Sequence, residues 1–181
     1  MDRSELRVAT IADVPSLREL IARSIRALGA RDYTSEQIEA ALQSAFGVDT
    51  ALIRDGTYFV VASGAGQLVA CGGWSRRRTL FGSDGRADRD ESYLDPRTEP
   101  AKIRAFFVDP QHARHGYGRA ILERSEREAR EAGFTQLALM ATLPGVPFYE
   151  RCGYRAQPAI VHVLPGGLEI RFVPMSKPAL C

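Results

Sequence analysis

The chain has 181 residues, enough for one domain or a small pair, and enough to bury a core without disulfide or metal staples. Apolar residues make up 45% and charged residues 25%, an ordinary globular balance, and no apolar run approaches the ~20 residues that cross a bilayer. The formal net charge is +2, from 24 Lys and Arg against 22 Asp and Glu, so composition gives no argument for nucleic acid or an anionic membrane as partner.

The three cysteines, Cys71, Cys152 and Cys181, are odd in number, and no pair has metal-ligand spacing. Reduced thiols and no metal are expected, as in a cytoplasmic protein. The N-terminal MDRSELRVAT lacks an apolar signal core, which agrees with a cytoplasmic location.

In chain order, Leu6 to Ala9 reads as a first strand. Thr10 then caps a helix beginning near Asp13, with Pro15 in its first turn and Gly29 at its end. Leu17, Leu20, Ile21, Ser24, Ile25 and Leu28 recur at helical spacing and predict one buried face. Thr34 and Gln37 are spaced as a capping box and open a second helix through about Phe46. The runs TYFVVAS (57–63) and QLVACGGWS (67–75) flank a short Gly-containing connection and predict an antiparallel hairpin. Residues 76–100 are polar and long for an internal connection; such segments are usually functional or mobile.

Order resumes with the strand Ile103 to Val108, stopped by Asp109-Pro110. Gly116 to about Ala132 is helical. Ile121, Leu122, Ser125, Ala129 and Ala132 share one face, and charges at i,i+4, Glu126 and Arg130 among them, fill a solvated face. A strand from Thr135 to Ala141, a short helix from Val146 to Arg151, and strands near Ile160–Leu164 and Leu168–Val173 complete the chain. Strand–helix–strand over 103–141 implies a parallel pair joined by a right-handed crossover, and the hairpins around it imply antiparallel pairs. The fold class is therefore α/β (α+β), a mixed, mostly antiparallel sheet flanked by helices in a single domain over 1–181.

The chemistry concentrates in Arg114-His115-Gly116-Tyr117-Gly118-Arg119, between a strand and a helix. Gly116 and Gly118 let the backbone turn and approach a ligand without a Cβ. Free N–H groups at the helix start, aided by the helix dipole, make an anion site. Arg114 and Arg119 add charge-assisted bonds to phosphate oxygens, with His115 a weaker candidate. The P-loop pattern is absent, and a dinucleotide-binding fingerprint would need glycine where Ile121 stands.

The run Phe107-Val108-Asp109-Pro110, then Arg114 to Leu122, resembles motif A of the GNAT superfamily of acyl-CoA-dependent N-acyltransferases. About 30 residues downstream, Phe148-Tyr149-Glu150-Arg151-Cys152-Gly153-Tyr154 resembles that family's motif B. Two departures stand out: Ala113 occupies the position where the family usually has Gln or Arg, and Thr142 the one where an Asn often stands. The resemblance implies a GNAT-like fold with acceptor-side helices at about 11–46 and a CoA-binding core at about 101–155. It also implies acetyl-CoA as co-substrate, its pyrophosphate on residues 114–119, including Tyr117. Pantetheine is expected to bond to the main chain of Phe106 and Val108, in a gap where that strand splays from the one at 135–141. Phe107 is expected to face the other way.

Tyr149 is implied as the catalytic group that hydrogen-bonds or protonates the departing thiolate. The amine acceptor must lose a proton, but the strand 103–108 has no carboxylate where relatives often keep a Glu. Glu99, Asp95 and His162 are weak candidates, and the base stays unassigned. The acceptor pocket should form from the first two helices, the 76–100 segment and the late hairpin, with Tyr33, Trp74, Tyr93 and Arg104 as candidate lining. The expected activity is acetyl transfer to a primary amine of a small molecule or peptide; the alternative is a non-catalytic acyl-CoA-binding sensor or subunit. No nucleic-acid or membrane partner is expected, and a homodimer through an exposed sheet edge is a possibility left open.

Overall fold

The two runs richest in apolar residues, Tyr58–Ala62 (β2) and Leu68–Ser75 (β3), are buried along almost their whole length. A computed structural model describes residues 4–179 and sets these runs in an eight-stranded sheet. Cys181 lies outside the described residues. β1 (Glu5–Val8) pairs with β2 at one edge. Beyond β3 come β4 (Ala101–Val108), β5 (Gln136–Thr142) and β8 (Glu169–Pro178). The short β6 (Arg155–Ala156) and β7 (Ile160–Val163) both pair with β8. Among the described strands only β4 and β5 run parallel; the other pairs are antiparallel.

Strands apolar on both sides must be covered on both faces. α1 (Val14–Leu28), α2 (Ser35–Ala41) and α3 (Thr50–Arg54) cover one. α4 (Tyr117–Glu131) and α5 (Val146–Arg151) cover the other. The strand alternation feeds both cores: Tyr58 and Val60 enter the α1 side, Phe59 and Val61 the α4 side. α1 buries Leu17, Leu20, Ile21, Ser24 and Ile25, and α4 buries Ile121, Leu122, Ser125 and Ala129, as their spacing predicts; Leu28 and Ala132, placed on the same faces, are exposed at the helix ends. Thr34 and Gln37 close their capping box at 3.2 and 2.9 Å. Thr10 precedes a 3-10 turn, Ile11–Asp13, so α1 itself starts at Val14.

Two boundaries and the burial of one charge differ from the sequence reading. α2 ends at Ala41 rather than near Phe46, the chain then turns, and α3 follows, capped by Asp49 accepting from the Ala51 N–H. Burial of Phe46 against Phe107 and Phe172 outweighs helical propensity here. The last strand continues to Pro178, beyond the expected end near Val173, because β5 and β6 pair along it. Glu126 is buried rather than solvated: it accepts from the Tyr154 hydroxyl at 2.9 Å and from Lys177 Nζ at 2.9 and 3.1 Å. It ties α4 to β8 and to the turn after α5.

The 76–100 segment folds back on itself. Arg78 and Thr79 donate to Ser92 and Asp90, and Leu94 to Arg76. Its tip is held by Ser83 and Asp84 donating to Ser44 and Val48, and Arg77 pairs with both oxygens of Asp55 at 2.7 Å. No described helix is long and apolar enough to cross a membrane.

Candidate active site

β4 and β5 are paired only from Ala101 to Ile103, against Leu137 to Leu139. Past that point β4 carries a bulge: its register with β3 shifts between Cys71 and Gly73, and Ala105 takes φ +55°. A left-handed alanine costs roughly 1–2 kcal/mol, so its surroundings must hold it. The Tyr58 hydroxyl donates to the Ala105 carbonyl at 2.9 Å. Gly72 and Gly73 give the room: a Cβ on Gly72 would stand 2.7 Å from the Phe106 ring, and one on Gly73 2.1 Å from the Thr57 carbonyl. The bulge resets the alternation. Ala105 and Phe107 pack into the α1 side, Phe106 and Val108 into the α4 side, as expected for the last three.

Where the strands part, a cavity of about 250 Å³ opens through the sheet. Phe106, Val108, Gly118, Phe148 and Tyr149 line its α4 half. Ile25, Phe46, Phe81, Phe107 and Phe172 line its α1 half. Helix α1, the connection between α2 and α3, the 76–100 segment and β8 thus contribute walls, whereas the second helix itself, expected on the acceptor side, gives no lining residue.

At the α4 end, Asp109 is buried and fixes the turn. It accepts from Arg23 Nε at 2.7 Å and from the Gln111 N–H at 2.9 Å, with His112 at 3.3 Å. Burial pushes its carboxyl up, but Arg23, His112 and the amide outweigh this and leave it below the ordinary value. Arg114 (φ +67°) and Gly116 (φ +85°) then turn the chain left-handed into α4. The first N–H of this helix to find a carbonyl is that of Ala120, bonded to Gly116; the amides of residues 114–119 meet no acceptor among the described residues. The side chains of Arg114 and Arg119 are exposed and make no ion pair among the described residues. Six open amides, a helix N-terminus and two unpaired guanidinium groups form a ready anion cradle. Gly118 joins it to the cavity: a Cβ there would sit 3.6 Å from Phe148 and 3.7 Å from Val108. His115 stacks on Tyr117 with centroids 6.0 Å apart.

Tyr149 lies on α5 at the cavity wall, packed edge to face on Phe106, Phe148 and Tyr154. Its hydroxyl meets no partner among the described residues. Burial holds this phenol protonated well above the ordinary tyrosine range. Two buried anchors orient it. The Glu126–Tyr154 bond fixes the end of α5, and the Tyr33 hydroxyl accepts the Leu143 N–H at 2.9 Å while donating to the Arg171 carbonyl at 2.7 Å.

Tyr33 is therefore scaffold, not cavity wall. Trp74 is also displaced from the expected lining: it is buried on Phe134 and donates to Glu128 at 3.3 Å. Tyr93 is exposed beside Arg77. Among the weak base candidates, Glu99 pairs with Arg78 and Asp95 with Arg97, away from the cavity. His162 stands behind the wall, against Phe81 and Phe172. Arg104 alone of the four lining candidates reaches the cavity. It is buried, and donates to Asp49 at 2.8 Å and to the carbonyls of Thr79 and Gly82 at 3.0 and 2.7 Å. Asp49, which also pairs with Arg89 at 2.8 Å, was not singled out from the sequence. Its only local signal is its place as a helix cap.

The chain matches the model of the acetyltransferase (GNAT) family over residues 17–154. No curated protein matches. Among solved structures, a GCN5-related N-acetyltransferase from Rhodopseudomonas palustris aligns with TM-score 0.71 at 19% identity, covering 98% of this chain and 97% of its own. The PaiA N-acetyltransferase of Thermoplasma acidophilum, solved with coenzyme A, aligns with TM-score 0.64 at 15% identity over 97% and 99%. The ribosomal-protein-S18-alanine N-acetyltransferase of Escherichia coli aligns with TM-score 0.58 at 15% identity over 99% and 96%. At these identities the likeness is one of fold.

Proposed function

This chain belongs to the acetyltransferase (GNAT) family, and from that premise we propose that it moves an acetyl group from acetyl-CoA directly to a primary amine of a small molecule or peptide. The observation that carries this reading is one cavity lined by the parted strands β4 and β5, by Tyr149, and by Gly118, which belongs to the turn whose amides at 114–119 are open. In this reading the amides, with Arg114 and Arg119, hold the pyrophosphate, as a helix N-terminus holds any anion. Ala113, where the family usually has Gln or Arg, leaves that grip to backbone and to Arg114. Pantetheine occupies the gap beside Phe106 and Val108, and Thr142 lines the same gap. The relative from Thermoplasma acidophilum, solved with coenzyme A, supports this cofactor.

The neutral amine attacks the thioester carbonyl, the C–N bond forms, the C–S bond breaks, the electron pair leaves on sulfur, and the proton shed by the attacking nitrogen passes through water to the thiolate or to solvent. Tyr149 faces that sulfur. With ordinary values of about 10 for a phenol and 8.5 for a thiol, full proton transfer is uphill by roughly 2 kcal/mol. Burial of Tyr149 raises that cost. A hydrogen bond that strengthens as charge builds on sulfur is the role that fits. The cavity lining includes no Asp, Glu or His, so the amine enters neutral or passes its proton to water.

That same absence favours a second reading, an acyl-CoA-binding sensor or subunit without turnover. Thiol release from acetyl-CoA in the presence of varied amines separates the two. Amine-dependent release supports the enzyme; saturable cofactor binding without release supports the sensor.

A further inference from the structure

We infer that the acceptor amine carries an aryl or bulky branched apolar group and no second charge, an inference resting on the acetyl-transfer reading above. The bulge at Ala105 divides the cavity between the two faces of the sheet, so the α1 half is left for the acceptor once the cofactor fills the α4 half. Phe46, Phe81, Phe107 and Phe172 form the walls of that half. Phe46 packs edge on to Phe107 and Phe172, and Phe172 to Phe81, with interplanar angles of 79°, 67° and 62°. Ile25, Leu28, Leu80 and Met140 fill the spaces between.

The polar inventory is short. Arg104 is the only charged residue in the lining, and its guanidinium is committed to Asp49 and to the carbonyls of Thr79 and Gly82. Those bonds shape the wall, because they hold the stretch that presents Leu80, Phe81 and Gly82. They leave little to bind a substrate carboxylate. The lining offers no carboxylate for a second ammonium, and burying one without a partner costs far more than ring faces return. A polyamine or aminoglycoside is therefore disfavoured. A free arylalkylamine and a peptide with an aromatic N-terminal residue both present the favoured chemistry.

The test is steady-state thiol release with phenethylamine, isopentylamine, a phenylalanine-initiated tripeptide amide, spermidine and lysine, alongside calorimetry with acetyl-CoA. The expected result is kcat/KM at least about tenfold higher for the apolar amines or the aromatic peptide than for spermidine or lysine. Phe81→Ala should erase most of that preference without changing acetyl-CoA affinity, and Phe81→Leu should retain part of it. Phenethylamine over peptide identifies a free amine as the source; the reverse identifies a peptide N-terminus. Equal rates across the panel, a preference for the charged amines, or cofactor binding with no turnover of any apolar amine overturns the inference. Those results leave acetyl-CoA binding standing, whereas absence of that binding removes the underlying reading as well.

Discussion

At the scale of single residues, the proposed chemistry rests on Tyr149 and the two glycines of the turn. Tyr149→Phe removes only the hydroxyl, which meets no partner among the described residues, so the fold has little to lose. We expect kcat to fall about 10²-fold, as when a donor to developing charge is removed, with acetyl-CoA affinity nearly unchanged by calorimetry. Unchanged turnover would remove the residue from the mechanism. Gly116→Ala meets no neighbour within 4 Å, so its cost is the left-handed backbone alone. Urea unfolding should show a loss of about 1–2 kcal/mol. These residues were singled out through the resemblance to two short motifs at fixed local spacing, and the structure sets Gly118 and Tyr149 on one cavity wall. The pairing of Asp49 with Arg104 was not, since 55 positions separate them and only the fold brings them together.

Among elements, β4 decides the site. Its bulge parts it from β5, and its two flanking clusters supply the two halves of the cavity. The splay was anticipated from resemblance, but the bulge was not, because Ala105 is an unusual residue for φ +55° and gives no local signal. The early stop of α2 and the late end of β8 were misread for a similar reason: tertiary partners, the packing of Phe46 and the pairing of β5 along residues 172–178, decide both ends. The 76–100 segment is held to the body by Arg89 pairing with Asp49 and by the Thr79 and Gly82 carbonyls accepting from Arg104, itself paired with Asp49. Asp49→Ala leaves buried guanidinium charge uncompensated, and breaking such a pair costs about 3–5 kcal/mol. Chemical denaturation should register that loss. At a permissive temperature the variant should bind acetyl-CoA normally while KM for the amine rises, since the cradle lies elsewhere. An equal loss of both affinities would contradict the division of the cavity.

For the whole molecule, pH separates the scaffold from the chemistry. Asp13 is lowered to about 2, chiefly by its hydrogen bonds from Arg7, and Asp109 is also lowered. Both groups bind protons more readily when unfolded, so their stabilisation is present above about 3.8 and is lost as pH falls below it, for Asp13 toward 2. Thermal melting should show Tm dropping across that window. Catalysis should respond at the other end. With no ionisable base in the cavity lining, kcat/KM should climb with pH until the amine is neutral, near 10 for an alkylamine. Because burial keeps Tyr149 protonated, no falling limb should appear there. A limb near 6.5 would instead point to a histidine base.

The central claim is that the amides of residues 114–119 and the gap between β4 and β5 together hold acetyl-CoA. Calorimetric titration of the protein with acetyl-CoA tests it most directly. One saturable site per chain, with Kd below about 1 mM, is the expected result, weakened in Gly116→Ala and unaffected in Phe81→Ala. No saturable heat at millimolar acetyl-CoA would contradict the account.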